Sequence, residues 1–324
     1  MWLAIRMYLL LAVLFGIVYA LIVVVGSFLG VGNFLVYAGL AIVMMLVQYA
    51  IGPKMVEWTM KVRYVSGEEE PWLHRTVEDL AQRAGVPKPK VGIAQAAVPN
   101  AFAFGRSRGG SRICVTEGIR QLLSKEELRA VLGHEVSHIK NRDVMFITII
   151  SVIPTIAWYI AWSTMFSRDR DGGGAALGMI AFIIYFITNL LVLYGSRIRE
   201  YAADKGSVAL GEQPHDLASA LYKLVYGSAR LSKQQIKGVE GMKAFFATDP
   251  SRAARELTDL RVVDKDMSGT IDRQELKAIR EKEVRTSRGD RLFEILSTHP
   301  NMLRRIFVLS SYKSVPRKGD ITVQ

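Results

Sequence analysis

Two histidines and a glutamate with the spacing of a metal site stand out in this sequence, in the stretch His134-Glu135-Val-Ser-His138. Residues four apart share one face of a helix, so the two imidazoles can bind one Zn²⁺. Glu135 would then take a proton from a water molecule that the metal has acidified. The alternative is a pair of helix histidines that merely face core or solvent. The chain has only five histidines, and two fall in this frame, which favours zinc chemistry.

The start of the helix that must present these groups is encoded just upstream. Ser124 and Glu127 have the S-x-x-E spacing of a capping box, ahead of an apolar pattern with helical periodicity. We therefore expect a helix from about Lys125 through Asn141, which could run directly into the apolar stretch that follows.

The third metal ligand must come from elsewhere in the chain. The metzincin pattern would need glycine at position 141 and histidine at 144, but these residues are Asn141 and Val144. Glu200 is the better candidate, because a carboxylate from a second helix completes a His₂Glu, gluzincin-like site and leaves one position for water. Asp204, one turn further on, could orient a ligand histidine. His215 is the rival third ligand, in a loop beside a proline.

Four long, uncharged, apolar stretches are each long enough to cross a hydrocarbon core of about 30 Å. They run over 7–26, 33–52, 144–166 and 175–195. A signal peptide is the alternative for the first stretch, but its apolar run is too long and a second follows almost at once. The third stretch contains Pro154, which a helix bundle tolerates.

Basic residues predict the orientation of these spans. They flank the cytoplasmic ends under the positive-inside rule: Arg6, Lys54, Lys61, Arg63, Arg142, Arg197 and Arg199. We therefore expect a multi-pass protein of the cell membrane with both termini and the metal site on the cytoplasmic side. His138 and Glu200 each lie a few residues from an end of the last two spans, which would place the zinc about 8–9 Å from the membrane boundary.

These patterns predict a mainly α membrane protein with an α+β soluble part. Residues 1–52 would form two spans, 53–143 the first part of a cytoplasmic protease domain, 144–195 a transmembrane hairpin, and 196–324 the second part of that domain. A small sheet is expected from short strands, and amphipathic helices should surround it. The predicted strands are 91–96, 101–104 and 112–116, and the predicted helices are 71–84 and 214–226.

Composition is consistent with this architecture. Half of the residues are hydrophobic, which is too many for an ordinary soluble domain. The net charge of +12, next to long apolar runs, favours anionic lipid over nucleic acid as a partner. Cys114 is the only cysteine, so an intrachain disulfide and a multi-cysteine zinc site are excluded.

A second metal-binding pattern lies in residues 264–275, which have the spacing of an EF-hand loop with glycine at its sixth position. The predicted oxygen ligands are Asp264, Asp266, Ser268, the carbonyl of Thr270, Asp272 and Glu275. EF-hands normally work in pairs, and the sequence offers no second loop. An acidic helix–turn–helix that binds weakly, or binds only Mg²⁺, is the alternative to a calcium site.

Taken together, the segments 133–138, 199–204 and 297–300 resemble HtpX-type membrane metalloproteases, which are relatives of the CAAX prenyl proteases. The resemblance implies zinc-dependent cleavage of membrane or misfolded polypeptides in membrane-protein quality control. It also implies that His134, His138 and Glu200 bind zinc and that Glu135 is the general base.

The same resemblance assigns further residues. His299 matches a histidine that helps to bind the transition state, and Arg305 matches a supporting arginine near the catalytic groups. The segment Asn100-Ala101-Phe102-Ala103-Phe104 matches a strand that could pair with an extended substrate, although a plain core strand is equally open. Asn301 and Met302 depart from the family pattern, and 231–289 reads as an insertion.

Two other functions remain open. A membrane scaffold or calcium sensor with a vestigial site would bind no zinc. A prenyl-protein protease would share the zinc site, but such relatives have more spans and a large chamber.

Overall fold

A computed structural model describes residues 46, 49–165, 173–230, 257, 260, 263–264, 266–280, 297 and 299–313. The chain divides into two compact units, one of Met1–Gly52 and Met145–Ile198, the other of Pro53–Val144 and Arg199–Gln324.

A four-stranded mixed sheet is the β part of the second unit. Its strands are β1 (Val62–Tyr64), β2 (Lys90–Ala94), β3 (Ala101–Phe104) and β4 (Arg112–Thr116), in the order β1-β2-β4-β3. β2 and β4 are parallel, and the two outer pairs are antiparallel. The predicted strands 101–104 and 112–116 are confirmed as β3 and β4 with the same bounds, the predicted strand 91–96 is found as Lys90–Ala94, and β1 was not predicted.

Helices form most of the rest of the described chain. They are α1 (Pro71–Ala84), α2 (Glu117–Leu122), α3 (Lys125–Asn141), α4 (Asp143–Met165), α5 (Gly173–Ala209), α6 (Pro214–Ala229), α7 (Arg273–Arg280) and α8 (Met302–Ser310). Residues 49–59 are also helical.

The predicted capping box is confirmed at the start of α3. The Ser124 hydroxyl accepts from the Glu127 backbone N–H, and the Glu127 carboxylate accepts from the Ser124 N–H. Both α3 bounds agree with the prediction, but the helix does not run straight into α4. Arg142 breaks it with a left-handed backbone at φ 58°.

One apolar core holds the second unit together. It is formed by side chains from the sheet and from α1, α3, α6, α7 and α8, with Leu80, Ile113, Leu132, Leu221 and Ile306 among its most buried members. Helix α3, which carries the two histidines, is therefore packed on one side by an extensive core.

Within the described residues, α5 contains the one helix long and apolar enough to cross a membrane, Ala176–Ala209. It includes the predicted fourth span, and α4 corresponds to the predicted third, with Pro154 inside the helix. The predicted first span lies outside the described residues, as does most of the second. The expectation of four spans is thus not confirmed. In the first unit, Ile150 and Ile153 pack in one buried cluster with Val192.

Candidate metal centre

Helices α3 and α5 bring three potential metal ligands together. His134 Nε2 lies 3.0 Å from His138 Nε2, and Glu200 Oε2 and Oε1 lie 3.6 and 3.5 Å from these two nitrogens. In a tetrahedral site with zinc–ligand bonds of about 2.0–2.1 Å, neighbouring ligand atoms are about 3.3–3.4 Å apart. The three donors therefore have the chemistry and the spacing of a zinc site.

The rival ligand His215 lies elsewhere. It is the second residue of α6, and its Nε2 is 3.4 Å from Asp216 Oδ1. Among the described residues, the group of side chains around His134 that could bind a metal ion contains His138 and Glu200 and does not include His215. Of the two third ligands left open by the sequence, the geometry favours Glu200.

Small residues allow α3 and α5 to approach closely enough to form this cluster. A Cβ atom on Gly133 would lie 2.9 Å from Ser207 Oγ, and one on Gly206 would lie 2.7 Å from Ser137 Cβ. The Ser207 hydroxyl also donates to the Ala130 carbonyl at 2.7 Å, which ties the two helices together. No motif in the sequence marks these positions.

Asp204 lies on the far side of His134 from the metal-facing nitrogen. Its Oδ1 is 2.9 Å from His134 Nδ1, as the prediction that Asp204 orients a ligand requires. Arg305, on α8, binds both oxygens of Asp204 at 2.6 and 2.9 Å and lies 3.1 Å from Glu200 Oε2. Arg305 is 1% exposed, so it braces the two carboxylates from within the core.

The electrostatics of the two imidazoles differ. Burial alone would lower the pKa of His134, but hydrogen bonds to Asp204 and Glu200 and their charges outweigh it and raise this pKa to about 10. Burial and the neighbouring His134 lower the pKa of His138. Imidazole binds metals in its neutral form.

Glu135 is buried next to this cluster, with 6% of its surface exposed. Burial raises its pKa, and the two histidines oppose that shift. Its carboxylate also hydrogen-bonds to the backbone of Ala103 in β3. A carboxylate with a raised pKa in this position is suited to accept and return a proton.

Strand β3 contacts helix α3 at Ala103. β4 pairs with one side of β3, and the Ala103 backbone contacts Glu135. In contrast, the side chains of Asn100, Ala101, Phe102 and Phe104 are buried, with Phe102 and Phe104 in a small apolar cluster. Only the backbone edge and Ala103 are thus placed to meet an extended chain.

His299 lies in the segment before α8. Its Nδ1 is 3.5 Å from Glu200 Oε2, and 18% of its side chain is exposed. The structure therefore places His299 beside the predicted metal ligand, on the α8 side of the cluster.

One carboxylate in contact with a predicted ligand histidine has no recognisable motif in the sequence. Asp143 Oδ2 lies 2.5 Å from His138 Nδ1, and Asp143 also contacts Arg199. The sequence signal was an aspartate five residues after the second histidine, but it has meaning only once the helix break at Arg142 is known.

The predicted calcium loop also gathers oxygen atoms. Ligand atoms of Asp264, Asp266 and Glu275 lie within 4.8 Å of one another. Asp264 accepts from the backbone N–H groups of Ser268 and Gly269, and Ser268 Oγ is 3.3 Å from the Thr270 carbonyl oxygen. Asp272 and Glu275 accept from each other's backbone N–H and cap the start of α7.

Comparison with known proteins gives a consistent picture. The sequence profile described as Peptidase family M48 matches residues 67–313. A protein named Protease HtpX homolog from Methanothermobacter thermautotrophicus is 57% identical over 223 residues, which cover 69% of this chain and 86% of that protein. Protease HtpX homolog 2 from Methanosarcina acetivorans is 40% identical over 264 residues, covering 72% and 90% of the two chains.

Among solved structures, the crystal structure of S. mikatae Ste24p has a similar fold, with a TM-score of 0.50 and 16% sequence identity. The match covers 95% of this chain and 66% of that one.

Proposed function

The chain belongs to Peptidase family M48 and is a metalloprotease, and we propose that it is a zinc-dependent endopeptidase anchored in a membrane. One observation carries this proposal: the donor atoms of His134, His138 and Glu200 have the spacing of a tetrahedral zinc site, and Glu135 is buried beside them.

In this proposal His134, His138 and Glu200 hold the metal. A bound Zn²⁺ supplies Lewis-acid polarisation of the scissile carbonyl and acidifies water. Glu135 accepts a proton from the attacking water and later delivers it to the leaving amine. Its burial supports this role, because a raised pKa makes the carboxylate a stronger base towards the attacking water and brings it nearer to neutral pH, where one group can both accept and donate a proton.

His299 and Arg305 assist from the α8 side. The ring nitrogens of His299 are buried beside Glu200, and one of them would donate a hydrogen bond to the oxyanion that develops in the transition state. Arg305 holds Glu200 and Asp204 in place through its buried guanidinium, so its part is to position ligands and not to touch substrate.

The substrate would bind as an extended strand along the outer edge of β3. Backbone hydrogen bonds give such pairing its affinity and read little side-chain identity. The contact between Ala103 and Glu135 supports this location, because it places the strand edge next to the general base. Unfolded or partly unfolded polypeptides of varied sequence are the substrates that fit.

The long apolar segments are the part of the chain that would cross the membrane. We infer four spans over 7–26, 33–52, 144–166 and 175–195, with residues 53–143 and 196–324 forming a cytoplasmic protease domain. The apolar helix Ala176–Ala209 supports one of these spans. A cytoplasmic site beside the cell membrane would suit the removal of misfolded membrane proteins.

Calcium modulation is a separate part of the proposal. The loop 264–275 would bind Ca²⁺ through the six oxygen ligands predicted from its sequence. The cluster of Asp264, Asp266 and Glu275 supports it. Because α7 and α8 contribute to the same core, an ion bound next to α7 could stabilise the protease domain.

The test compares the wild-type protein with Glu135→Gln, both purified in detergent and loaded with zinc, on unfolded casein. Wild type should cleave casein at internal bonds. Glu135→Gln should retain about one zinc per chain and lose cleavage by a factor of about 10² or more. Glu126→Gln, an exposed glutamate on the same helix, is the matched control. Equal cleavage by wild type and Glu135→Gln would overturn the mechanism. A wild-type protein without bound zinc would favour the alternative function, a membrane scaffold or calcium sensor with a vestigial site.

A further inference from the structure

His138 has a carboxylate partner of its own on the side away from the metal-facing nitrogen. Its Nδ1 lies 2.5 Å from Asp143 Oδ2, while its Nε2 is the atom that approaches His134 and Glu200. Asp143 is 6% exposed, so solvent does not compete for this contact. A carboxylate that accepts from Nδ1–H fixes the tautomer whose Nε2 lone pair is available to a metal.

The break between α3 and α4 makes this contact possible. On a continuous helix, a residue five positions after His138 would be rotated about 140° away from it. Arg142 instead adopts a left-handed backbone, and its N–H bonds back to the carbonyls of His138 and Ile139. This turn brings the carboxylate of the next residue, Asp143, to the Nδ1 atom of His138.

Arg199 completes the arrangement from helix α5. It is 3% exposed, contacts Asp143 Oδ1, and donates to the Asn141 carbonyl at 3.2 Å. It is also the residue directly before Glu200, so one turn of α5 provides both a metal ligand and the support for Asp143. Asp204 and Arg305 form a similar carboxylate–arginine pair behind His134.

We propose that Asp143 is a positioning residue for the metal centre, which holds His138 in its ligating tautomer and is itself held by Arg199. The inference rests on the proposed function, because it gives His138 a metal to bind. Asp143, at the α3–α4 break, and Arg199, next to the proposed ligand Glu200 on α5, would thus act as a pair.

The first test measures zinc affinity by competition with a chromogenic chelator, for wild type, Asp143→Asn and Asp143→Ala in detergent. Loss of a carboxylate that orients a ligand histidine lowers metal affinity about 10- to 100-fold. Asp143→Ala should lie in this range. Asp143→Asn should lie between it and wild type, because its amide oxygen can still accept from Nδ1–H. The matched control is Glu212→Gln, which removes another buried carboxylate paired with an arginine and should leave zinc affinity unchanged.

A second test separates positioning from general stability. Asp143→Ala leaves the Arg199 guanidinium buried without its carboxylate, which lowers thermal stability as well. The double variant Asp143→Ala/Arg199→Met removes that charge. It should recover thermal stability towards the wild-type value while its zinc affinity stays reduced.

Two results would overturn the proposal: zinc affinity within about twofold of wild type in folded Asp143→Ala, or recovery of affinity together with stability in the double variant. The failure of the proposed function looks different, because the wild-type protein itself would then bind no zinc.

Discussion

Gly206 of helix α5 packs directly against Ser137 of helix α3, so that a Cβ atom on Gly206 would lie 2.7 Å from Ser137 Cβ. Ser137 is one residue before the proposed ligand His138, and Gly206 is six residues after the proposed ligand Glu200. The geometry of the metal centre thus depends on the absence of a single methyl group at this crossing.

Gly206→Ala should therefore weaken the centre without touching a ligand. The added methyl group overpacks the helix crossing, which typically costs about 1–3 kcal/mol of stability. If the helices move apart to relieve it, Glu200 withdraws from the histidines. We expect lower thermal stability and weaker zinc binding, measured by thermal unfolding and chelator competition.

A double variant provides the check. Ser137→Gly removes the Cβ that the new methyl group meets, so Gly206→Ala/Ser137→Gly should recover part of the lost zinc affinity. Gly109→Ala, where an added Cβ would meet nothing within 4 Å, is the control. Full zinc affinity in Gly206→Ala alone would show that the crossing tolerates a larger residue.

Substitution of His299 should separate catalysis from metal binding. Its Nδ1 lies 3.5 Å from Glu200 Oε2, and both of its ring nitrogens are buried beside the predicted metal ligands, where a donor to the developing oxyanion would have to lie. Loss of such a donor lowers kcat about 10²- to 10³-fold. His299→Ala should show this loss in casein cleavage while zinc affinity changes by less than about tenfold. A loss of zinc comparable to that of His134→Ala would instead make His299 a ligand.

The sequence predicted those parts of the centre that depend on local spacing. Helix α3 has the predicted bounds because the Ser124–Glu127 capping box is a local interaction. The closeness of Glu200 to the two histidines follows from its place beside an apolar stretch, and the structure brings these residues together.

What the sequence did not reveal depends on backbone conformation and long-range pairing. A left-handed residue is usually glycine or asparagine, so Arg142 gave no sign of the break that brings Asp143 to His138. Strand β1 has only three residues and is defined by pairing with Gly92, Ile93 and Ala94, about thirty positions away. The contacts of Arg305 with Glu200 and Asp204 likewise could not be predicted from local sequence, because they form only in the tertiary fold.

The buried Glu127 should make the stability of the protease domain depend on pH. Burial would raise its pKa, but hydrogen bonds from Lys223, Ser219 and the Ser124 backbone outweigh this and lower it. A carboxyl whose pKa is lowered on folding stabilises the fold above its ordinary pKa, and this contribution is lost as pH falls through the lowered value. Glu127→Gln should therefore be less stable than wild type at neutral pH, by about 1–3 kcal/mol.

The measurement is thermal unfolding of zinc-saturated wild type and Glu127→Gln between pH 7 and pH 3. The difference between the two proteins should shrink as the pH falls below about 4.3, the ordinary pKa of glutamate. Glu126→Gln, which alters an exposed neighbour, should follow wild type throughout. A difference that stays constant with pH would assign the effect of Glu127→Gln to packing alone.

Calcium should stabilise the protease domain if the loop 264–275 binds it. Glu275 is the loop's twelfth residue and would supply two carboxylate oxygens, and its ligand atoms already cluster with those of Asp264 and Asp266. A ligand at 100 times its Kd stabilises the folded state by about 2.7 kcal/mol. Addition of Ca²⁺ to the zinc-loaded protein should therefore raise Tm, and Glu275→Gln should abolish most of this rise.

Mg²⁺ at the same concentration should have a smaller effect, because it favours octahedral geometry. An equal rise in wild type and Glu275→Gln would place calcium at another site. If Ca²⁺ changes neither Tm nor casein cleavage, the loop is only the capped turn that begins α7.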